Sequence, residues 1–180
     1  MSDNHHEMRP IFLYPGEMFA CFEPSLVTTV LGSCVAVTMH NQRLKLGAIC
    51  HAQLAAPGAH EETGKNHPQP FKFVSLAIPA MIEIFHSHGI PLESIEVKLF
   101  GGANVLNLGE KPCAVNDIGA NNIHRAQKVL QESRLPISRS HVGGVRGRKL
   151  IFNTLTGEVL LKQIQPSNTQ YLPTHAERKN

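Results

Sequence analysis

A chain of 180 residues, 42% hydrophobic and 17% charged, has the apolar content of a globular domain with a sizeable core and too few charges for a disordered polyelectrolyte. Its 17 basic and 14 acidic residues leave a formal charge of +3, too mild to demand a nucleic-acid partner, and no apolar stretch is long enough for a membrane-spanning helix. The polar start "MSDNHHEMRP" lacks the apolar centre of a signal peptide, so a cytoplasmic location is expected.

In chain order, residues 1–10 read as a flexible tail, and residues 17–22 and 26–31 have strand composition with a break at Pro24. Residues 34–40 and 44–51 read as two strands of a hairpin around "NQR". Residues 55–70, "AAPGAHEETGKNHPQP", form a polar loop long enough to suggest a functional lip. Phe73, Leu76, Ala77, Ala80, Met81, Ile84 and Phe85 recur at helical spacing, with Gly89 as a stop. Pro79 interrupts that pattern, so the helix is expected either to begin near it or to kink there. "IEVKLFGGA", 95–103, reads as a strand entering a glycine turn. Asn116 or Asp117 could cap a second helix over 118–133, with Ile123, Ala126 and Leu130 facing inward. Short strands follow at 136–142, 149–153 and 158–163, and residues 166–180 read as a second flexible tail. Strands outnumber helices, which predicts an α+β fold in a single domain over residues 11–165.

"TTVLGSCVAV" places Cys34 after a Gly-Ser turn and at the mouth of an apolar strand, where a reacting group would sit. Cys21, Cys34, Cys50 and Cys113 form no C-x-x-C pair, and in a reducing compartment each is a buried thiol, a reactive thiol or a metal ligand. A reactive thiol needs a base, and His51 stands in the next strand. A loop over Asn41 to Leu44 sets Cys34 opposite His51, with Cβ atoms about 5 Å apart. A loop one residue shorter sets Cys34 opposite Cys50 and turns His51 to the other side, and the residues leave both registers open. The small residues Gly32 and Ser33 leave room for substrate and free backbone N–H groups for an oxyanion. A third group should orient the imidazole. No carboxylate lies close in sequence, and Thr28 or Thr29 could supply a hydroxyl or a carbonyl. The plain alternative is a small apolar filler at Cys34 and a satisfied strand-end histidine at His51.

"TTVLGSCVAV", "LGAICHAQL", "KLFGGANVL" and "HVGGVRGRKLIFNTLTGEV", in this order and at this spacing, resemble the chemoreceptor glutamine deamidases, the CheD family of bacterial chemotaxis, over residues 15–165. The resemblance implies hydrolysis of receptor glutamine side chains to glutamate through a thioester. It implies Cys34 as nucleophile, His51 as base and Thr28, six positions before the cysteine, as third residue. It further implies packed β-sheets with two main helices on an outer face, similar to deamidating bacterial toxins. The partners it implies are methyl-accepting chemotaxis receptors and a CheC-type phosphatase; no metal or other cofactor is called for. Asn121-Asn122 stands where the family shows Arg-Asn, and His141 where it shows an acidic residue, which bears on partner choice rather than on chemistry. A non-catalytic adaptor and a receptor methylesterase are the competing readings. A thiolate poised by His51 is expected to alkylate faster than the other cysteines near neutral pH.

Three further signals are weaker. "VRGRK", 145–149, with Arg139 reads as a solvated basic turn, and the two tyrosines offer no interleaved aromatics for base stacking. "FGGA", 100–103, lacks the flanking pattern of a phosphate loop and reads as a tight turn near the site. His86 and His88 sit at a helix end, where they suit the dipole.

Overall fold

The computed structural model describes residues 8–58, 67–104 and 117–164. Nine strands and two α-helices run through these segments: β1 (Arg9–Phe12), β2 (Met18–Cys21), β3 (Ser25–Leu31), β4 (Val35–Asn41), β5 (Leu46–Ala52), α1 (Val74–Ser87), β6 (Glu96–Gly101), α2 (Ile118–Glu132), β7 (Ile137–Val142), β8 (Arg148–Asn153) and β9 (Val159–Gln163). The α+β reading holds. A four-stranded sheet, β1-β3-β8-β9, packs against a five-stranded sheet, β2-β5-β4-β6-β7. Both sheets are mixed, with β1 parallel to β3 and β6 parallel to β7.

Strands β4 and β5 are buried along their whole length, because each of their faces meets a different layer. Val35, Val37, Met39, Ala48, Cys50 and Ala52 pack with Ala77, Met81 and Phe85 of α1 and Ala126 and Leu130 of α2. Ala36, Ile49 and Phe100 face the other way, onto Val27, Leu31, Leu150 and Phe152 of the four-stranded sheet. The helices thus cover the outer face of the five-stranded sheet, and the two sheets enclose a second core.

Several expectations change. Arg9 and Pro10, assigned to the N-terminal tail, belong to β1 and pair with Ser25 and Leu26. A proline is tolerated there because β1 is an edge strand. Helix α1 does not begin near Pro79 but starts at Val74 and runs through the proline, which leaves the second of the two expected alternatives, a helix continuing past it. Pro79 is exposed, so the Ser75 carbonyl that loses its donor lies on the solvent side of the helix. Asp117 is the cap of α2, its carboxylate accepting from Ala120 N at 3.0 Å. The basic cluster is split, since Arg146 and Lys149 are exposed while Arg148 is 1% exposed. Asn116, Cys113, half of the 55–70 loop (residues 59–66) and the tails at 1–7 and 165–180 lie outside the described residues.

Candidate active site

The β4–β5 hairpin takes neither register anticipated from sequence. Asn41 pairs with Leu46 and the loop is Gln42 to Lys45, so Ala36, not Cys34, stands opposite His51. The turn chemistry explains the shift. Asn41 stays in the strand and its Oδ1 accepts from Leu44 N at 2.8 Å, while Lys45 closes the loop at φ 56°. The parity survives this shift of two residues. Cys34, one residue beyond the ladder, packs into the inter-sheet core together with Ala36, on the face His51 also occupies. The thiol and the imidazole are therefore diagonal neighbours across the pair, within reach of a long side chain.

His51 is fixed from several directions. Its backbone N–H donates to Glu17 O at 2.9 Å and its carbonyl accepts from Gly16 N at 2.8 Å. Its ring reaches from the five-stranded sheet to the other, where Nδ1 lies 2.8 Å from Thr29 Oγ1. The same hydroxyl donates to Leu13 O at 2.8 Å. A hydroxyl has one proton, and here the Leu13 carbonyl takes it. Thr29 can then only accept from His51, which places the imidazole proton on Nδ1 and leaves a lone pair on Nε2. Nε2 is buried and has no hydrogen-bond partner among the described residues.

Thr28 cannot take this part. Neighbouring residues in a strand point to opposite faces, and Val27, Thr29 and Leu31 are the buried set of β3. The Thr28 side chain lies on the outer face of the four-stranded sheet, while its carbonyl accepts from Leu13 N at 2.9 Å. Of the two threonines the residues allowed, the structure brings Thr29 to the histidine.

Electrostatics favour a neutral resting pair. Burial lowers the His51 pKa to about 4, against smaller opposing effects of the Leu13 carbonyl and Glu17. Burial raises the Cys34 thiol, and its own backbone N–H pulls it part of the way back. The thiolate expected at neutral pH is thus disfavoured at rest, and the proton must move as the sulfur reacts. Cys50, on the helix-facing side, is fully buried with its pKa pushed up to about 11.

The turn bearing Cys34 is held by backbone bonds. Gly102 N donates to Cys34 O at 2.7 Å and Ala103 N to Gly32 O at 2.8 Å. The "FGGA" segment is therefore the tight turn beside the site, in contact with the nucleophile's own backbone. Glycine is required at Gly101, where φ is +108° and a Cβ would fall 2.2 Å from Cys34 O. Behind this turn, Gly143 N donates to Gly101 O at 2.9 Å and Asn104 N to Gly144 O at 2.8 Å. Buried Arg148 donates to the carbonyls of Gly101, His141 and Gly143. Sequence reasoning missed that role, because Arg148 looked like one more charge in a surface run. It also treated Asn122 only as part of a family departure. That side chain is fully buried against the same turn, donating to Ser33 O at 3.1 Å and Gln53 O at 2.8 Å.

Comparison with known proteins adds a lineage to this geometry. Residues 56–163 match the family model described as CheD chemotactic sensory transduction. The probable chemoreceptor glutamine deamidase CheD 2 of Geobacter sulfurreducens is 40% identical over 91% of this chain and 96% of its own length. The probable chemoreceptor glutamine deamidase CheD of Maridesulfovibrio salexigens is 34% identical over 92% of this chain and 98% of its own.

Proposed function

The chain belongs to the CheD family, and from that premise we propose that it is a protein-glutamine glutaminase, hydrolysing specific glutamine side chains of methyl-accepting chemotaxis receptors to glutamate. The observation that carries the chemistry is the hydrogen-bond chain Leu13 O, Thr29 Oγ1, His51 Nδ1, which leaves Nε2 as a free acceptor on the face that holds Cys34.

In this reading Cys34 is the nucleophile, His51 the base and Thr29 the positioning residue. As the sulfur attacks the glutamine carboxamide carbon, the thiol proton passes to His51 Nε2, the C–S bond forms and the carbonyl pair moves to oxygen. In this reading the backbone N–H groups of the Gly32–Cys34 turn, Ser33 among them, donate to that oxyanion. Thr29 stabilises the imidazolium by accepting from Nδ1–H. The imidazolium returns its proton to the amide nitrogen, the C–N bond breaks, and ammonia leaves a thioester. Water then attacks the thioester carbon with His51 taking its proton, the C–S bond breaks, and the thiol recovers the proton as glutamate departs. Atoms balance as carboxamide plus water giving carboxylic acid plus ammonia, with no metal in the sequence of steps.

The chain's place is the cytoplasm, in keeping with the free cysteines Cys21, Cys34 and Cys50. No helix among the described residues is long and apolar enough to cross a membrane. A CheC-type phosphatase is a second partner that family membership suggests. The test is mass spectrometry of receptor cytoplasmic fragments incubated with the protein or with Cys34→Ala. Glutamines converted to glutamates only by the intact thiol support the reading. Receptors bound by both proteins but changed by neither would leave an adaptor, and release of methanol from methylated receptors instead of ammonia would make it a methylesterase.

A further inference from the structure

The Asn122 amide stands where it can set the direction of one particular N–H. Its Nδ2 group donates to the Ser33 carbonyl, and to the Gln53 carbonyl across the strand pair, from a side chain with no solvent exposure. Asn122 lies on α2, beside Gly119, whose backbone approaches the "FGGA" turn so closely that a Cβ there would sit 2.5 Å from Gly102 O. The amide is thus held by a helix packed directly on the nucleophile's support.

A trans peptide is planar, and its C=O and N–H point in opposite directions. The Ser33–Cys34 peptide has its oxygen fixed toward Asn122, so the Cys34 N–H points away from α2. The thiol's environment agrees. Burial raises the Cys34 pKa, and the residue's own N–H, directed at the sulfur, opposes that rise. An N–H beside the attacking sulfur is where the oxyanion of a tetrahedral adduct develops.

Resting on the deamidase reading of this site, we propose that Asn122 is a positioning residue for the oxyanion: by anchoring the Ser33 carbonyl it aims the Cys34 N–H at the oxygen of the tetrahedral adduct. It touches neither substrate nor imidazole. Its contribution is confined to steps that pass through an oxyanion.

Two reagents separate this role from others at the same sulfur. p-Nitrophenyl acetate acylates a thiol through a tetrahedral oxyanion, whereas iodoacetamide alkylates it by displacement at a saturated carbon, with none. Both reactions are followed at Cys34 by peptide mass spectrometry at pH 8.5, in the full chain and in Asn122→Ala and the similarly sized Asn122→Leu. The expected result is acylation slowed by about 10- to 100-fold with alkylation within about 3-fold of the parent, a smaller loss than the roughly 100- to 1000-fold that outright removal of one oxyanion donor costs, because the N–H is misaimed rather than removed. Equal loss of both reactions, or loss of neither, overturns the proposal. So does labelling of buried Cys50 in both variants, which would assign Asn122 to holding the fold. Neither reagent involves a receptor. A parent protein that leaves receptor glutamines intact while the two reagents separate would refute the deamidase reading and uphold this one.

Discussion

Replacing Thr29 by valine tests the assignment of the positioning hydroxyl. Valine keeps the shape of threonine and removes the one group that links Leu13 O to His51 Nδ1. Two buried polar groups then lose their partner, an N–H and a carbonyl. An unsatisfied buried group costs about 1–3 kcal/mol, so the fold should lose about 2–6 kcal/mol, or about 4–24 °C in melting temperature. Catalysis should suffer separately. The imidazolium formed during attack loses a hydrogen bond to a charged donor, worth about 1.5–3 kcal/mol, which corresponds to roughly 10- to 100-fold in kcat. KM should stay the same, because Thr29 is buried between the sheets, away from any receptor. Ammonia release from receptor fragments measures both constants. Thr29→Ser retains the hydroxyl and should recover kcat to within about 3-fold, while Thr28→Val, on the outer face, should change stability by less than about 0.5 kcal/mol and leave kcat alone. A Thr28→Val variant as impaired as Thr29→Val, or a fully active Thr29→Val, would refute the reasoning.

The His51 pKa of about 4 against an ordinary 6.5 places the acidic limb of the pH–rate profile near pH 4, because the base works only when neutral; a limb near 6.5 would contradict it. The same shift affects stability. The unfolded chain binds a proton at His51 that the folded one refuses, so stability is full above about pH 6.5 and falls by up to about 3 kcal/mol toward pH 4. Urea midpoints at pH 5 and 7 should show this slope reduced in His51→Gln. The raised Cys34 thiol predicts that iodoacetamide alkylation keeps rising through the ordinary value of 9.0, and a plateau already reached by pH 7 would show a preformed thiolate instead. Arg148→Met should cost about 2–4 kcal/mol in thermal unfolding, since several carbonyls lose a charged donor, and Arg148→Lys should not restore it, because a single ammonium cannot match the planar fork. A stable Arg148→Met would show those bonds to be dispensable.

The legible parts of the sequence were those whose physics is local. Helical spacing located α1 and α2, continuous apolar runs located the doubly buried β4 and β5, and Asp117 was a readable cap. Strand β1 was not readable, because an edge strand that begins Arg-Pro has the composition of a tail. The hairpin register escaped because a side chain decides it: Asn41 spends its Oδ1 on the turn and keeps its backbone in the ladder. The third member of the site escaped for a related reason. Ser25–Leu31 has apolar residues on both parities, Leu26 and Val30 as well as Val27 and Leu31, so alternation alone does not say which threonine faces inward. Counting back from the cysteine then selected Thr28. Only contact with the other sheet separates the two, since Leu13, Thr29 and His51 come from the segment just after β1 and from two strands in different layers and meet at one hydroxyl. That hydroxyl, with a single proton already committed to Leu13, is what gives the histidine its basic nitrogen. The composition of "TTVLGSC" supplies the reagents, and the packing of one sheet on the other determines which form they take.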